Sequence, residues 1–227
     1  MTTGARQGGD VLEFALDAVF PRRCGGCLAR GTWLCEDCRA AVRAAPVTAC
    51  RRCHRPVSLD PCPMCEAGEG PDAMIAMARL EGPLREAVHR FKYGDRPQLA
   101  PYLVAAAWRP ASLGPGIVVP VPLHPGRRRR RGYNQAALLA DSLSRLAGNG
   151  VLEALRREGV AGRQVGRGGE DRRRSLDGAF AWTADVVPDA VVILDDVLTT
   201  GTTLLQCSLA ARAAGVKRVD ALALALG

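Results

Sequence analysis

Aromatic side chains are scarce: three Trp, three Tyr and four Phe make up 4% of the 227 residues. A core must therefore rest on Ala, Val and Leu, which the 48% hydrophobic content supplies. The same scarcity argues against reading single-stranded nucleic acid by base stacking, because Tyr133 is the one aromatic inside the basic part of the chain. Lysine is nearly absent, with only Lys92 and Lys217 among 31 basic residues, a bias from which no mechanism follows by itself. Histidine numbers three. His124 is the one near a candidate loop and reads as a turn residue, so no dedicated general base stands out. No charged start followed by an apolar stretch marks a secretory signal, and no apolar run approaches the roughly 20 residues of a bilayer span. The expectation is a soluble, cytoplasmic protein without membrane insertion. The length fits one domain of ordinary size plus a small one, and the oligomeric state stays open.

What is abundant is cysteine, and it is clustered. Eight of nine cysteines form four C-x-x-C pairs: Cys24/Cys27, Cys35/Cys38, Cys50/Cys53 and Cys62/Cys65. A C-x-x-C turn places two sulfurs on one metal, and two turns complete a tetrahedron. The pattern predicts two closed, structural four-thiolate zinc sites. Similar gaps within the first two pairs and the last two favour sequential pairing, with interleaved pairing open. Residues 20–66 offer almost no apolar core, so metal should supply much of the folding free energy, on the order of 10 kcal/mol per site. His54 is a spare ligand and Cys207 a small buried residue. Ahead of the thiols, Asp10–Phe20 has helical apolar spacing and ends at Pro21. Residues 1–67 read as one N-terminal module, followed by a linker at Gly68–Pro71.

From residue 71 to 227, apolar runs alternate with helical patterns, which predicts an α/β domain with a doubly wound parallel sheet. Strands are expected at Ala73–Leu80, Ile117–Val121, Val151–Leu155, Val191–Leu194 and Arg218–Leu226. Helices are expected from Pro83, with Leu84, Ala87, Val88 and Phe91 on one face, over Leu99–Trp108, from Tyr133 to Ala147, and over Leu204–Ala214. The most informative stretch is Val191–Thr203, V-V-I-L-D-D-V-L-T-T-G-T-T. An apolar strand runs into Asp195 and Asp196, then into hydroxyls around one glycine, then into a helix. Unpaired N–H groups at a helix start suit a phosphate, and carboxylates just before it suit sugar hydroxyls or a divalent cation. A plain capped helix needs one Asp or Thr rather than two acids and four threonines.

This stretch resembles the phosphoribosyl pyrophosphate (PRPP) loop of type I phosphoribosyltransferases. The resemblance implies that Asp195 and Asp196 hold the ribose hydroxyls and serve catalysis. It also implies that Val197, Leu198, Thr199, Thr200, Gly201, Thr202 and Thr203 wrap the 5′-phosphate. P-V-P at 120–122, R-R-G-Y-N-Q at 130–135, L-R-R at 155–157, Arg163-Gln164, R-x-x-x-G-A-F at 174–180 and the cysteine-rich front widen the likeness to the ComF family, over nearly the whole chain. Members are phosphoribosyltransferase-like with an N-terminal zinc ribbon, and some take part in DNA uptake during natural transformation. The resemblance thus implies PRPP binding with Mg²⁺ and phosphoribosyl transfer to an unidentified nitrogen acceptor, with pyrophosphate leaving among Val121, Pro122, Arg131, Asn134, Gln135 and Arg174. One departure stands out: Ser175 and Leu176 occupy positions where the family pattern often has Asn and Val.

The formal charge of +8 is local. Arg127 to Arg174 holds thirteen arginines against five acids, and the rest of the chain sums to zero. Arg163–Arg174, without periodicity and rich in Gly, reads as a mobile segment that would cover the site. Three functions stay open on these residues: a PRPP-using transferase, a PRPP sensor without turnover, and a nucleic-acid accessory gripping single-stranded DNA through arginine.

Overall fold

The computed structural model describes residues 21–53, 55–67, 69–109, 116–158 and 179–227. The expected Asp10–Phe20 helix, His54 as a spare ligand, and the Arg163–Arg174 segment with Arg174 and Ser175 lie outside these residues. The cysteine-rich front has short elements: α1 (Glu36–Ala40), β1 (Thr48–Ala49), β2 (Pro56–Val57) and α2 (Pro63–Ala67). After it come β3 (Ala73–Arg79), α3 (Gly82–Tyr93), α4 (Ala100–Ala107) and β4 (Ile117–Pro120). They are followed by α5 (Pro125–Arg131), α6 (Gln135–Ala147), β5 (Leu155–Arg157) and β6 (Phe180–Trp182), and then by β7 (Ala190–Leu198), α7 (Thr202–Ala213) and β8 (Arg218–Leu226).

Six strands form one sheet in the order β1-β2-β3-β8-β7-β4, parallel except for the β1–β2 pair. This is the expected mostly parallel α/β sheet. Its central strands are apolar on both sides because both faces are covered. In β7, Val192 and Leu194 pack on one core and Val191 and Ile193 on the other. The first core takes its helical side chains from α3, α4 and α6, including Phe91, Leu103, Leu139 and Leu143. The second takes Leu204, Leu205, Cys207 and Ala211 from α7 and Phe180 from β6. The stripe predicted on α3, Leu84, Ala87, Val88 and Phe91, is its buried face, and Pro83 opens that helix.

Four features depart from expectation. First, β7 does not stop at Leu194 but pairs with β8 through Leu198, so both acids belong to the strand. Second, the arginine run is helical: Pro125 opens α5, the His124 Nδ1 caps it by accepting from the Gly126 N–H at 3.1 Å, and Gly132 at φ +79° ends it. Third, Val151 makes an isolated parallel bridge to Val118, and the regular pairing nearby is antiparallel, β5 on β6. Fourth, the front buries more apolar surface than its composition suggests. Leu34 and Val42 join the first core, and Val57 and Met64 join the second. Its interior is shared with the sheet, which β2 extends by pairing Val57 with Met74.

Candidate ligand crevice and thiol clusters

Adjacent strands β4 and β7 lead into helices on opposite faces, α6 over the first core and α7 over the second. Such a divergence opens a crevice beyond the carboxyl ends of the strands, the usual ligand position in an open parallel sheet. The Val121 N–H bonds the Leu194 carbonyl at 2.9 Å, so the two strand ends stay zipped up to the crevice floor. The Asp195–Thr203 stretch lies at this edge.

Neighbours on a strand point to opposite faces, and the acids obey that alternation. Asp196 turns toward the first core, where its Oδ1 meets the Lys92 Nζ of α3 at 2.8 Å. Asp195 turns the other way, toward Arg157 of β5 and Cys207 of α7, and its Oδ1 accepts the Asp196 backbone N–H at 2.8 Å. Burial, and then the neighbouring Asp196, push the Asp195 carboxyl up to about 7, with Lys92 and Arg157 pulling the other way. Cys207 is fully buried, and burial followed by the nearby Asp195 holds its thiol well above the usual range.

Gly201 caps α7 at φ +75°. An added Cβ there would lie 2.6 Å from Met74 Sδ, 3.0 Å from Pro63 Cγ and 3.1 Å from Leu59 Cδ1, so glycine is required twice over. Thr199, Thr200 and Thr202 are exposed and Thr203 half-buried. The Thr200 and Thr202 hydroxyls are 3.0 Å apart. The first turn of α7 lies beside this hydroxyl cluster, and its Thr202 N–H donates to Thr200 Oγ1 at 3.5 Å.

Across the crevice, Asn134 caps α6 by accepting from the Ala136 N–H and donates to the Val121 carbonyl at 3.1 Å. Arg131 donates to Gln135 Oε1 at 3.2 Å and lies over the Tyr93 ring. Gln135 is 1% exposed, and its Nε2, like Arg131 Nε, is buried without a hydrogen-bond partner. A cavity of about 260 Å³ lies beside Pro122, Leu123, Arg128, Asn134, Arg156 and Arg157. The structure therefore gathers Val121, Pro122, Arg131, Asn134 and Gln135 at the β4 end, next to the acids and threonines at the β7 end. Sequence reasoning missed Lys92 and the facing role of Arg157. The one available signal for Lys92 was its rarity in an arginine-biased chain.

The eight paired cysteines gather as two sequential sets, Cys24, Cys27, Cys35 and Cys38, and Cys50, Cys53, Cys62 and Cys65, with the sulfurs of each set within 4.8 Å of one another. Zn–S bonds of about 2.3 Å place tetrahedral sulfurs about 3.8 Å apart. Cys24–Cys35 and Cys27–Cys35 at 3.6 Å, Cys50–Cys65 at 3.4 Å and Cys53–Cys62 at 3.9 Å fit that figure. All nine cysteines are free thiols. Backbone N–H groups of Cys53 and Arg52 draw the Cys50 thiol down to about 6. At Cys24 burial opposes ionisation, but N–H groups of Cys35, Cys27 and Gly26 outweigh it and bring the thiol to about 6. Burial and the neighbouring sulfurs push Cys38 and Cys65 the other way, so each cluster holds crowded thiols that a metal would ionise together.

The two sets sit on opposite faces of the sheet. The first rests on α3: Arg90 donates to the carbonyls of Gly25 and Gly26, and Cys24 and Cys38 lie in the core that holds Leu84 and Ala87. The second rests on α7 and the Gly201 loop through Leu59, Pro63 and Met64. No helix among the described residues is long and apolar enough to cross a membrane.

Fold and site define the class: a mostly parallel α/β protein with two acids and a threonine-rich loop at its topological switch point and a four-thiol cluster on each face of its sheet. No protein-family model matches the chain. It is 33% identical over 192 residues to DNA utilization protein YhgH of Escherichia coli (strain K12), covering 79% of this chain and 84% of that protein. It is 32% identical over 210 residues to competence protein F of Haemophilus influenzae, covering 85% and 90%. The chain belongs to the ComF family of these proteins. Among solved structures, it is similar to one titled as the allosteric regulatory enzyme of purine biosynthesis, at 19% identity and a TM-score of 0.37 over 57% of this chain and 25% of that one. A likeness that loose adds nothing to the fold, which rests on the strand order.

Proposed function

We propose that this ComF-family chain binds PRPP, as its magnesium complex, in the crevice between β4 and β7. The observation that carries the reading is the placement of Asp195–Thr203. Two carboxylates lie near the carboxyl end of a central strand, and the start of α7, beside threonine hydroxyls, follows within one tight loop. Asp195 and Asp196 accept from the ribose hydroxyls, and the residues from Val197 to Thr203 hold the 5′-phosphate. The pyrophosphate lies toward Val121, Pro122, Arg131, Asn134 and Gln135, where the orphaned Gln135 amide and Arg131 Nε gain acceptors. Arg174 is assigned to the same group by family resemblance. Structural zinc in the two thiol clusters fixes the walls of the site.

Arginines beside the cavity stabilise negative charge as pyrophosphate departs, and a nitrogen nucleophile replaces it at C1. The relatives' names, DNA utilization and competence, support a link between this chemistry, or its ligand-bound state, and DNA utilization or competence. Calorimetry with PRPP and Mg²⁺ tests the site: wild type binds, and Asp195→Asn with Asp196→Asn weakens binding by two orders of magnitude or more, as expected when charge-assisted hydrogen bonds are lost at two positions. Undiminished binding in the double variant sinks the assignment. Pyrophosphate release across a panel of amines and bases then separates transfer from sensing.

A second reading, a polyanion-binding accessory, has its own observation. Arg127, Arg128, Arg129 and Arg130 are all exposed on α5, at the same edge of the sheet.

A further inference from the structure

Asp196 is held by Lys92, which no part of the PRPP-loop pattern contains. The ammonium and the carboxylate lie 2.8 Å apart, and their side chains are only 18% and 15% exposed. A pair this shielded is screened little by salt, unlike an ion pair in open solvent. Lys92 reaches the acid from the last turn of α3, a helix tied to the first thiol cluster by Arg90. It reaches the face of β7 that Asp195 does not use. The groups facing the acid pair are therefore the cation Lys92 from α3, and on the Asp195 side the cation Arg157 of β5 and the neutral Cys207 thiol of α7.

We propose that Lys92 is a positioning residue of the crevice: its ammonium holds the Asp196 carboxylate aimed in the ligand-free site, then turns toward the anionic ligand. Two adjacent carboxylates at a half-buried strand end repel each other and resist ionising together. A sugar hydroxyl donates more strongly to an ionised carboxylate than to a carboxylic acid. One cation on each face of β7 offsets part of that repulsion. Lysine suits the second half of the task better than arginine, because an ammonium is a compact point charge on a flexible stem with three donors. It can share Asp196 with a hydroxyl and still turn to a phosphate oxygen.

The proposal rests on the sugar-phosphate reading, and its test has one arm that does not. Carboxyl ¹³C resonances of the ligand-free protein report the titration of the Asp195–Asp196 pair directly. In Lys92→Met the pair is expected to titrate about one to three pH units higher than in wild type. In Lys92→Arg, which keeps the charge, it returns to the wild-type range. An unchanged titration in Lys92→Met overturns the proposal, and so does a shift that Lys92→Arg fails to restore. In the second arm, PRPP with Mg²⁺ binds Lys92→Met at least tenfold more weakly at pH 7, and the deficit narrows as pH rises and the pair ionises. A deficit independent of pH overturns the proposal by reducing Lys92 to a packing role. If wild type binds no PRPP, the ligand assignment falls, and the carboxyl titration still decides Lys92.

Discussion

Asp195 lies near the carboxyl end of β7, and burial, followed by the nearness of Asp196, raises its carboxyl to about 7 from an ordinary value of 3.8. A raised acid holds its proton more tightly folded than unfolded. Its contribution to stability is therefore present below the unfolded value, falls as pH climbs toward 7, and stays low above it. The ligand-free protein carries this cost for a group suited to accept from a ligand. Asp195→Asn removes the ionisation and keeps the shape. The variant should match wild type in thermal melts near pH 3.5 and exceed it by a margin that grows to a few kcal/mol, on the order of 4, by pH 8, while losing the ligand. Parallel melting behaviour of the two proteins across that range would contradict a buried, ionisation-resistant Asp195. The acids were legible in the sequence because their residue type and spacing are the chemistry itself. Lys92 was not, because a lone lysine in a last helical turn looks like a solvated end until the fold lays α3 beside β7.

At the scale of elements, the phosphate loop has a wall supplied by the front of the chain. Gly201 packs against Leu59 and Pro63, which flank Cys62, and α2 carries Cys65 beside α7. A metal in the second cluster is thus expected to stiffen the loop as well as the front. Cys65→Ser should lower bound zinc from about two per chain to about one. It should also raise hydrogen exchange at the Thr202 and Thr203 amides, leaving α3 and β8 protected. Unchanged exchange at those two amides would mean that the loop stands without the cluster. Periodicity revealed most of the elements: the α3 stripe and the run Arg218–Leu226 needed only apolar spacing. It failed where backbone pairing overrides side-chain pattern. β7 continues past its acids because Val197 and Leu198 pair with Ala225 and Leu226. Five consecutive arginines carry no period, yet a proline, a histidine cap and a left-handed glycine make them a helix.

For the whole molecule, the two thiol clusters sit on opposite faces of the sheet, and the arginines of α5 and β5 lie beside the cavity at the β4 end. Charge at that edge matters more than the net value. Two Zn²⁺ on eight thiolates add −4 to the formal +8, and this change falls on the front, away from Arg127–Arg130. Single-stranded DNA and PRPP would then draw on one basic rim. Anisotropy of a labelled oligonucleotide across a salt series tests this, using wild type and a variant with Arg127, Arg128, Arg129 and Arg130 changed to Gln. Wild-type affinity should fall steeply with salt. The variant's log–log slope should be shallower by about 0.7 for each phosphate contact removed. Saturating PRPP with Mg²⁺ should weaken wild-type DNA binding and leave the variant's residual binding less affected. A salt-independent wild type would end the polyanion reading. An equal slope in the variant would move the contact away from α5, and indifference to PRPP would separate the two ligands' sites.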